Sequence, residues 1–482
     1  MTADWHFFTP LAILAYVVGW GAAVHAILYA RTSQSAIAWA LGLVMVPYVT
    51  ILPYLVFGRS RLEGYVRARR IGDARIKGHL NNDEHAAWRP KLGEGEMQPA
   101  NAPERQRLRA LAHLAHTPPL GGNQVRLLID GAQTFDAIFA AIARARTLII
   151  VQSFIVNDDG LGKRMQAALL KRAAAGVKVY FLVDGIGSYS LPDTYLQALR
   201  AGGVEAEKFL AHRGLVNRFQ INFRNHRKLV VVDGEIGFVG GMNIGDEYLG
   251  LDPALSPWRD TQIEIQGSAV AALQLAFAED WHWVTAGVPE LRLPRAQPCG
   301  DMICQVLPSG PADSQDTCLL YFLEAVHSAR DRIWLASPYF IPDDALSAAL
   351  HLAVLRGVDV RLLLPGKADH HSVFLASTLY AHDMVRAGVK VYRMREGFMH
   401  SKVVLIDGDA ASVGTANLDN RSFRLNFEMT VLTLDAGFAA EVQAMFERDF
   451  SHSRLIGREE YEGASRWTKL AARLVRLFSP IL

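Results

Sequence analysis

The chain has 482 residues, half of them apolar, and its 50 Lys and Arg nearly balance its 48 Asp and Glu. This length allows two to four domains with a large buried core. The formal net charge of +2 hides basic ends around a mildly acidic body, a layout that fits an anionic membrane surface and argues against nucleic acid as a partner. Cys299, Cys304 and Cys318 lack zinc-ligand spacing and are expected to be reduced thiols.

Residues 1–71 are predicted to form a transmembrane helical hairpin. The runs 10–29 and 36–57 are apolar and each about twenty residues long, enough to span a bilayer as a helix. A cleaved signal peptide fits badly, because a basic n-region is missing and a second apolar run follows at once. Two buried core helices are the alternative. Pro47 and Pro53 also leave a kinked or re-entrant second segment open.

Basic residues near the spans predict the orientation of the hairpin. The link between the two runs carries only Arg31, whereas five arginines crowd the exit of the second run. These five are Arg59, Arg61, Arg67, Arg69 and Arg70. The bias predicts a multi-pass membrane protein with its large C-terminal body in the cytoplasm.

Residues 72–122 are polar and weakly patterned, and are predicted to be a linker with one short helix near 102–116. Strand and helix patterns then alternate, which predicts βαβ units and a largely parallel sheet. The predicted elements are strands 125–129, 148–151 and 177–183, a helix that ends at residue 145 and a helix over 163–175.

This order repeats later in the chain. Residues 153–159 resemble residues 338–344, and the Ala-Gly-Val-Lys-Val segment at 175–179 resembles Arg-Gly-Val-Asp-Val at 356–360. The repeat predicts an α/β body of two homologous lobes, about 123–290 and 301–455.

One short motif, His-x-Lys-x4-Asp, occurs once in each lobe, with an Asn seventeen residues after each His. The first copy contains His226, Lys228, Asp233 and Asn243, and the second contains His400, Lys402, Asp407 and Asn417. Matching spacing in two copies predicts one reaction centre shared by two half-sites.

Within a strand, a His and a Lys two residues apart emerge on the same face. Two imidazoles and two ammonium groups without clustered carboxylates favour a phosphate substrate, because the lysines neutralise its oxygens. Asn243 and Asn417 are expected to donate to the same oxygens. Double displacement through a phosphohistidine then becomes possible, with one imidazole as nucleophile and the other as acid and base. This chemistry requires neither a metal nor another cofactor.

Each imidazole needs an acceptor for its second ring nitrogen. Glu428 lies twenty-eight residues after His400 and is the predicted partner, with Asp260 as its counterpart in the first lobe. Asp233 and Asp407 belong to the motif, but they fall on the opposite strand parity. We expect these two carboxylates to be buried structural acceptors.

Residues 464–482 are predicted to form a basic amphipathic helix at the membrane interface. Its apolar side contains Trp467, Leu470, Ala471, Leu474, Leu477, Phe478 and Ile481. Its basic side contains Arg466, Lys469, Arg473 and Arg476. An ordinary packing helix is the alternative.

The paired motifs resemble those of the phospholipase D superfamily and, within it, the bacterial cardiolipin synthases. The segments that carry the resemblance are 222–228, 240–248, 258–260, 337–343 and 414–423, together with the hairpin and the ending Phe478-Ser479-Pro480-Ile481-Leu482. The resemblance implies a phosphatidyltransferase of the bacterial inner membrane that needs no metal. One phosphatidylglycerol would give its phosphatidyl group to another and release glycerol, with His226 as nucleophile and His400 as acid and base.

Other functions remain open at this point. A hydrolytic phospholipase D or another phosphatidyltransferase would use the same residues, and a phosphodiesterase or nuclease would have no use for the hairpin. A non-enzymatic membrane scaffold is also possible, although two intact motifs argue against it. The sequence sets neither the oligomeric state nor the acyl-chain preference.

Overall fold

A computed structural model describes residues 5–30, 32–58, 62, 64–66, 102–115, 117–210, 222–292 and 298–480. The predicted linker is therefore described only at its end, where residues 102–115 form a helix. Several residues of the predicted orientation and tail signals lie outside the described residues. They are Arg31, Arg59, Arg61, Arg67, Arg69, Arg70 and Ile481.

The N-terminal region contains three helices: α1 (Trp5–Tyr29), α2 (Ser33–Met45) and α3 (Pro47–Phe57). Among the described residues, one helical stretch, Pro10–Tyr29, is long and apolar enough to cross a membrane. The apolar run 36–57, predicted as the second span, forms two shorter apolar helices, α2 and α3, because the helix breaks at Val46.

Proline causes this break. Pro47 has no N–H, and its ring would clash with a carbonyl of the preceding turn. The Thr50 hydroxyl donates to the carbonyls of Gly42 (3.0 Å) and Val46 (2.9 Å), which compensates for part of the lost bonding. Gly19 of α1 passes the break so closely that a Cβ there would lie 2.4 Å from the Leu43 carbonyl oxygen.

The body begins with α4 (Ala102–Ala115), and the first lobe follows. Its strands are β1 (Leu120–Ile129), β2 (Leu148–Ser153), β3 (Lys178–Asp184), β4 (Glu205–Phe209), β5 (Arg224–Asn225), β6 (Leu229–Val232), β7 (Ile236–Gly240), β8 (Trp258–Arg259) and β9 (Thr261–Gln266). Its α-helices are α5 (Asp130–Arg144), α6 (Gly160–Ala174), α7 (Asp193–Ala201) and α8 (Ala269–Thr285), and a 3₁₀ turn covers Asp246–Leu249.

The second lobe repeats this order. Its strands are β10 (Met302–Ser309), β11 (Arg332–Ala336), β12 (Phe340–Ile341), β13 (Asp359–Leu364), β14 (Lys390–Met394), β15 (Phe398–Met399), β16 (Val403–Ile406), β17 (Ala410–Gly414), β18 (Leu418–Asp419), β19 (Asn426–Leu434) and β20 (Ser453–Leu455). Its helices are α9 (Thr317–Ser328), α10 (Asp344–Leu355), α11 (His371–Arg386), α12 (Asn420–Arg424) and α13 (Ala436–Ser451), and α14 (Glu459–Glu462) and α15 (Arg466–Arg476) follow.

Both lobes share one sheet, whose strand order reads nearly the same from either end. The order is β20-β14-β13-β11-β16-β17-β19-β10-β1-β9-β7-β6-β2-β3-β4, with β5 paired to β19. The antiparallel pair β1–β10 joins the lobes at the centre. The two homologous α/β lobes with pseudo-two-fold symmetry are confirmed, but the largely parallel sheet is wrong. Parallel pairs such as β2–β3 and β11–β13 lie toward the ends, whereas antiparallel pairs fill the middle.

The structure also shifts the internal repeat by one residue. Ser153 and Ser337 are equivalent, because each hydroxyl donates to the carbonyl two residues later. Asp159 is then equivalent to Asp343, and both cap the N-terminus of the following helix. The sequence match had placed Asp159 opposite Asp344.

One hydrophobic core covers a face of the sheet in both lobes, and includes Phe277 of α8 and Phe446 of α13. Separate cores cover the opposite face, with Phe135 in the first lobe and Phe322 in the second. Because the sheet and one core are continuous, the lobes are held in a fixed relation. Their facing loops therefore form a single centre.

The C-terminal helix α15 packs on α11. Ala472 is buried with Leu379 and Tyr461, and Val475 packs against the second-lobe core. The predicted apolar side is largely exposed instead: Trp467 is 80% and Leu474 is 53% exposed. The helix is therefore attached to the body by one narrow stripe while its larger apolar side faces outward.

Candidate active site

Each histidine motif leaves its own lobe and runs beside a strand of the other lobe. Parallel pairing of β5 with β19 places Asn225 opposite Phe427, and the His226 N–H donates to the Phe427 carbonyl (2.9 Å). Parallel pairing of β15 with β8 places Met399 opposite Arg259, and the His400 N–H donates to the Arg259 carbonyl (2.8 Å). The two motifs are therefore inserted across the lobe boundary.

This exchange decides which carboxylate holds which imidazole. His226 Nδ1 lies 2.9 and 3.0 Å from the Glu428 carboxylate oxygens, and His400 Nδ1 lies 2.8 Å from Asp260 Oδ2. The sequence pairing of each acid with the histidine of its own lobe is wrong. Glu428 follows Phe427 on β19, and Asp260 follows Arg259 on β8, so each acid meets the histidine that its strand has paired.

Both carboxylates are fully buried and accept further hydrogen bonds. Glu428 accepts from the side chains of Thr415 (2.5 Å), Ser422 (2.8 Å) and Asn426 (3.2 Å). Asp260 accepts from the Thr261 backbone N–H at 2.7 Å. These donors fix the carboxylates, which in turn fix the ring orientation and direct each Nε2 away from its carboxylate.

The motif residues precede their strands, since β6 begins at Leu229 and β16 at Val403. Each lysine ammonium donates to the carbonyl of its own histidine: Lys228 Nζ to His226 O at 2.7 Å and Lys402 Nζ to His400 O at 2.6 Å. The expected strand geometry is therefore absent at these residues, and each ammonium is held instead by the backbone carbonyl of its own histidine. Both lysines are buried, at 1% and 4% exposure.

Burial and surrounding positive charge keep both imidazoles neutral. Burial, followed by the charges of Lys228 and Lys402, lowers the pKa of His226 well below its usual value. Burial and then Lys402 lower the pKa of His400 to about 4, although Asp260 acts in the opposite direction. A neutral His226 has a free lone pair at Nε2 and can attack phosphorus.

The other charged groups shift toward neutrality for the same reason. Burial raises the pKa of Glu428 to about 7, opposed by the charge of Lys228. Burial lowers the pKa of Lys228 strongly, and lowers that of Lys402 to about 8. The centre favours an anionic ligand, because a phosphodiester would stabilise both buried ammonium groups.

Aromatic rings line the two imidazoles differently. The Phe154 ring meets the His226 ring edge-on, with centroids 4.9 Å apart, and also lies under the Lys228 ammonium (5.3 Å). The His400 ring lies among Trp258 (5.3 Å), Phe398 (6.1 Å) and Tyr248 (6.4 Å). The second imidazole thus has the more enclosed apolar surroundings.

The two motif asparagines lie beside the site with different bonding. Asn243 accepts from the Ile155 N–H (3.1 Å) and donates to the Tyr248 hydroxyl (2.8 Å). Asn417 is buried, and its side-chain oxygen has no hydrogen-bond partner among the described residues. An amide oxygen accepts, so this atom suits a substrate hydroxyl and not a phosphate oxygen, whereas Asn243 is already engaged in the loop structure.

Asp233 and Asp407 lie beyond the far end of the short strand that follows each motif. Asp233 accepts from the N–H groups of Arg146, Thr147 and Leu148 at 2.7–3.1 Å. Asp407 accepts from residues 330–332 in the same way. Partial burial would raise the pKa of Asp233, but these backbone bonds outweigh it and lower the pKa. Both aspartates are half-buried turn acceptors that stand apart from the imidazoles.

Two buried arginine–aspartate pairs lie beside the site and were not predicted from the sequence. Arg227 Nη1 lies 2.9 Å from Asp280 Oδ2, and the Arg259 guanidinium holds Asp449 through two bonds of 2.9 and 2.8 Å. A signal was present, since Phe-Ala-Glu-Asp-Trp at 277–281 matches Phe-Glu-Arg-Asp-Phe at 446–450. In the described part of the chain, no group of three or more His, Cys, Asp or Glu is arranged to hold a metal ion.

The comparisons with known proteins agree with this geometry. A family model described as "Cardiolipin synthase, PLD-like domain" matches residues 138–281 and 322–450, and "Phospholipase_D-nuclease N-terminal" matches residues 17–59. The chain is 54% identical over 466 residues to cardiolipin synthase A of Pseudomonas aeruginosa, covering 97% of this chain and 94% of the relative. It is 51% identical to cardiolipin synthase A of Pseudomonas putida, covering all of both chains.

A solved structure supports the fold. Phosphatidylserine synthase of Haemophilus influenzae superposes with a TM-score of 0.62 at 15% identity, covering 78% of this chain and 100% of that one. Two crossed half-sites, a full-length match and the family model lead to the same assignment. The chain belongs to the cardiolipin synthase family, with its phospholipase D-like domain in two lobes.

Proposed function

We propose that the protein makes cardiolipin by transferring a phosphatidyl group from one phosphatidylglycerol to another. The observation that carries this proposal is the crossed pair His226–Glu428 and His400–Asp260, two oriented imidazoles between two buried lysines. The full-length similarity to proteins named cardiolipin synthase A supports phosphatidylglycerol as substrate.

The first step forms a covalent intermediate. Nε2 of neutral His226 attacks phosphorus, and the bond from phosphorus to the glycerol headgroup oxygen breaks. Protonated His400 donates its proton to that oxygen, and glycerol leaves. Lys228 and Lys402 stabilise the charge that grows on the non-bridging oxygens.

The second step reverses these roles. His400, now neutral, accepts the proton of a headgroup hydroxyl of the second phosphatidylglycerol. The resulting oxygen attacks phosphorus, the bond from phosphorus to His226 Nε2 breaks, and cardiolipin leaves. No proton or phosphate is gained or lost over the cycle.

His400 must be protonated for the first step, although burial and Lys402 lower its pKa to about 4. A bound phosphodiester adds a negative charge beside Lys402, the largest charge that lowers this pKa. Substrate binding thus raises the pKa of His400 and prepares the acid only when there is a leaving group to protonate.

The test uses purified protein with phosphatidylglycerol in mixed micelles, and follows glycerol release and lipid products together. We expect glycerol and a four-chain lipid in equal amounts. Phosphatidic acid as the main product would instead make the protein a hydrolase, and no turnover of any phosphodiester would support a scaffold.

We also propose that the two-lobed body lies on the cytoplasmic side of the bacterial inner membrane. Exposed apolar side chains on α1–α3, such as Leu11 (65%) and Leu52 (64%), fit contact with lipid. The exposed side of α15 fits the headgroup region, with its arginines near anionic lipids. A reporter enzyme that is active only outside the cytoplasm can be fused after Leu482. Activity of this reporter would overturn the proposed orientation.

Deleting residues 464–482 tests the role of α15. The deletion should weaken binding to vesicles that contain phosphatidylglycerol, and more so at low salt than at high salt, because salt screens the basic side chains. Equal weakening at both salt concentrations would contradict an electrostatic contribution.

A further inference from the structure

Tyr65 lies in the segment that leads from the membrane helices to the body, and its side chain is buried at 2% exposure. Leu62 of the same segment is fully buried, and its N–H donates to the Pro311 carbonyl (3.4 Å). The described part of this segment is therefore packed into the body.

The Tyr65 ring and hydroxyl contact different parts of the first half-site. The ring centroid lies 4.6 Å from that of Phe427, which precedes Glu428 and whose carbonyl accepts from the His226 N–H. The hydroxyl donates to Asp280 Oδ1 at 2.7 Å. Tyr65 thus touches the backbone support of His226 on one side and a buried carboxylate on the other.

That carboxylate supports both neighbours of His226. Asp280 Oδ2 accepts from Asn225 Nδ2 (2.9 Å) and Arg227 Nη1 (2.9 Å), and from Gln152 Nε2 (2.8 Å). Arg227 Nε also donates to the carbonyl of Glu428 at 3.1 Å. One hydrogen bond from Tyr65 therefore leads through Asp280 to the residues before and after His226, and through Arg227 to its orienting acid.

The second half-site is built without this polar network. Asn225 and Gln152 are replaced there by Met399 and Ala336, and the motif arginine by Ser401. Symmetry of the fold alone therefore does not explain Tyr65. Its contacts single out the half-site to which the proposed mechanism assigns the nucleophile.

We propose that Tyr65 is a positioning residue for His226, so that the geometry of the nucleophile depends on how the membrane-side segment is docked in the body. The inference rests on the proposed function, in which His226 attacks phosphorus. Without the Tyr65 hydroxyl, Asp280 Oδ1 loses a donor in a buried site, where an unsatisfied oxygen is unfavourable. The Asp280 carboxylate would then turn, and Asn225 and Arg227, which bond its other oxygen, would shift with it.

The test is the full-length Tyr65→Phe variant with phosphatidylglycerol in mixed micelles. The ring contacts are kept and only the hydroxyl is lost. We expect kcat to fall about 10-fold with an unchanged KM, because misplacement of a nucleophile acts on the transition state. Tyr321→Phe is the matched control: Tyr321 is equally buried, and its hydroxyl bonds Ser412 at 2.5 Å in the second-lobe core.

Equal kcat values for Tyr65→Phe and Tyr321→Phe would overturn the proposal. A higher KM with unchanged kcat would do the same, since it would make Tyr65 only a part of membrane attachment. Cardiolipin and phosphatidic acid are both quantified, so a hydrolase would refute the proposed acceptor without disturbing this comparison.

A second readout needs no turnover. In protein with ¹⁵N-labelled histidine and no lipid, assigned with His226→Asn and His400→Asn, Tyr65→Phe should shift the ring signals of His226 and leave those of His400. Unchanged His226 signals would contradict the positioning role whatever reaction the protein catalyses.

Discussion

The two half-sites share their topology and differ in their support. In both, a histidine motif crosses to the other lobe, pairs with one strand and meets the acid that follows. In the first, the arginine that binds the helix aspartate belongs to the motif itself, as Arg227. In the second, the arginine is Arg259, on the strand opposite the motif.

This difference shows how a duplicated centre becomes directional. The backbone pairing is kept because it fixes both imidazoles, while the supporting side chains are free to diverge. The first half-site gained a dense polar network under His226, and the second gained an aromatic enclosure around His400. This difference fits the proposed double displacement, in which His226 is the nucleophile and His400 the acid.

Replacing the histidines tests this division most severely. His226→Ala and His400→Ala should each lower kcat at least about 10⁴-fold, because each removes a group that reacts. The buried His382, 3.3 Å from Glu462 and outside the site, provides the control His382→Ala with nearly normal kcat.

Trapping then distinguishes the two variants. A phosphatidyl substrate analogue whose leaving group needs no proton is used. With this analogue, His400→Ala should accumulate an acid-labile, alkali-stable phosphatidyl group on His226. A label on His400 in His226→Ala would reverse the assignment of nucleophile and acid.

Replacing the two carboxylates that hold the imidazoles, Glu428 and Asp260, should have the next largest effect on kcat. Glu428→Gln and Asp260→Asn should each lower kcat about 100-fold, since they remove the charge that orients an imidazole. Burial raises the pKa of Glu428 to about 7, so kcat/KM of the wild type should fall as the pH decreases through about 7. Glu428→Gln should lack this acid limb, and a limb that persists would exclude Glu428 as its source.

Replacing the two arginines, Arg227 and Arg259, should lower stability, and Arg227→Ala should also lower kcat because Arg227 links Asp280 to Glu428. Arg227→Ala leaves Asp280 charged and fully buried, and should reduce the free energy of unfolding by about 3–5 kcal/mol. Arg259→Ala should cost less, because the Asp449 side chain is 11% exposed and can take water. Thermal unfolding in detergent measures both, and the opposite order would show that water does not compensate Asp449.

The turn aspartates should differ least between the lobes. Asp233→Asn and Asp407→Asn should leave kcat within about twofold and each cost about 1–3 kcal/mol of stability. The contribution of Asp233 is present above its ordinary pKa of about 3.9 and is lost as the pH falls through its lowered pKa. Wild type and Asp233→Asn should therefore converge in stability at acid pH. A large loss of kcat in Asp233→Asn would instead make Asp233 a catalytic residue.

Much of this molecule could be predicted from local patterns. The strand and helix over 125–145 matched the structure within a few residues at their ends, because hydrophobic periodicity reports which face of an element is buried. The duplicated motif predicted a single centre, because spacing repeated far apart in the chain indicates repeated geometry. Pro47 indicated a kink, and the structure has a complete break there.

Pairing between distant residues was outside the reach of such patterns. Glu428 was assigned to His400 by distance along the chain, whereas β5 and β15 pair across the lobes and exchange the acids. Tyr65 carries no motif and lies 215 residues from Asp280, so only the packed core brings them together.

The sequence by itself determined the two lobes, the paired histidine motifs and the family, because these depend on residue type and spacing. Only the tertiary structure decided which acid bonds which imidazole and how the segment of Tyr65 reaches the surroundings of His226. Hydrogen bonds across a sheet and contacts in a shared core depend on which strands become neighbours, and that choice is made by the fold as a whole.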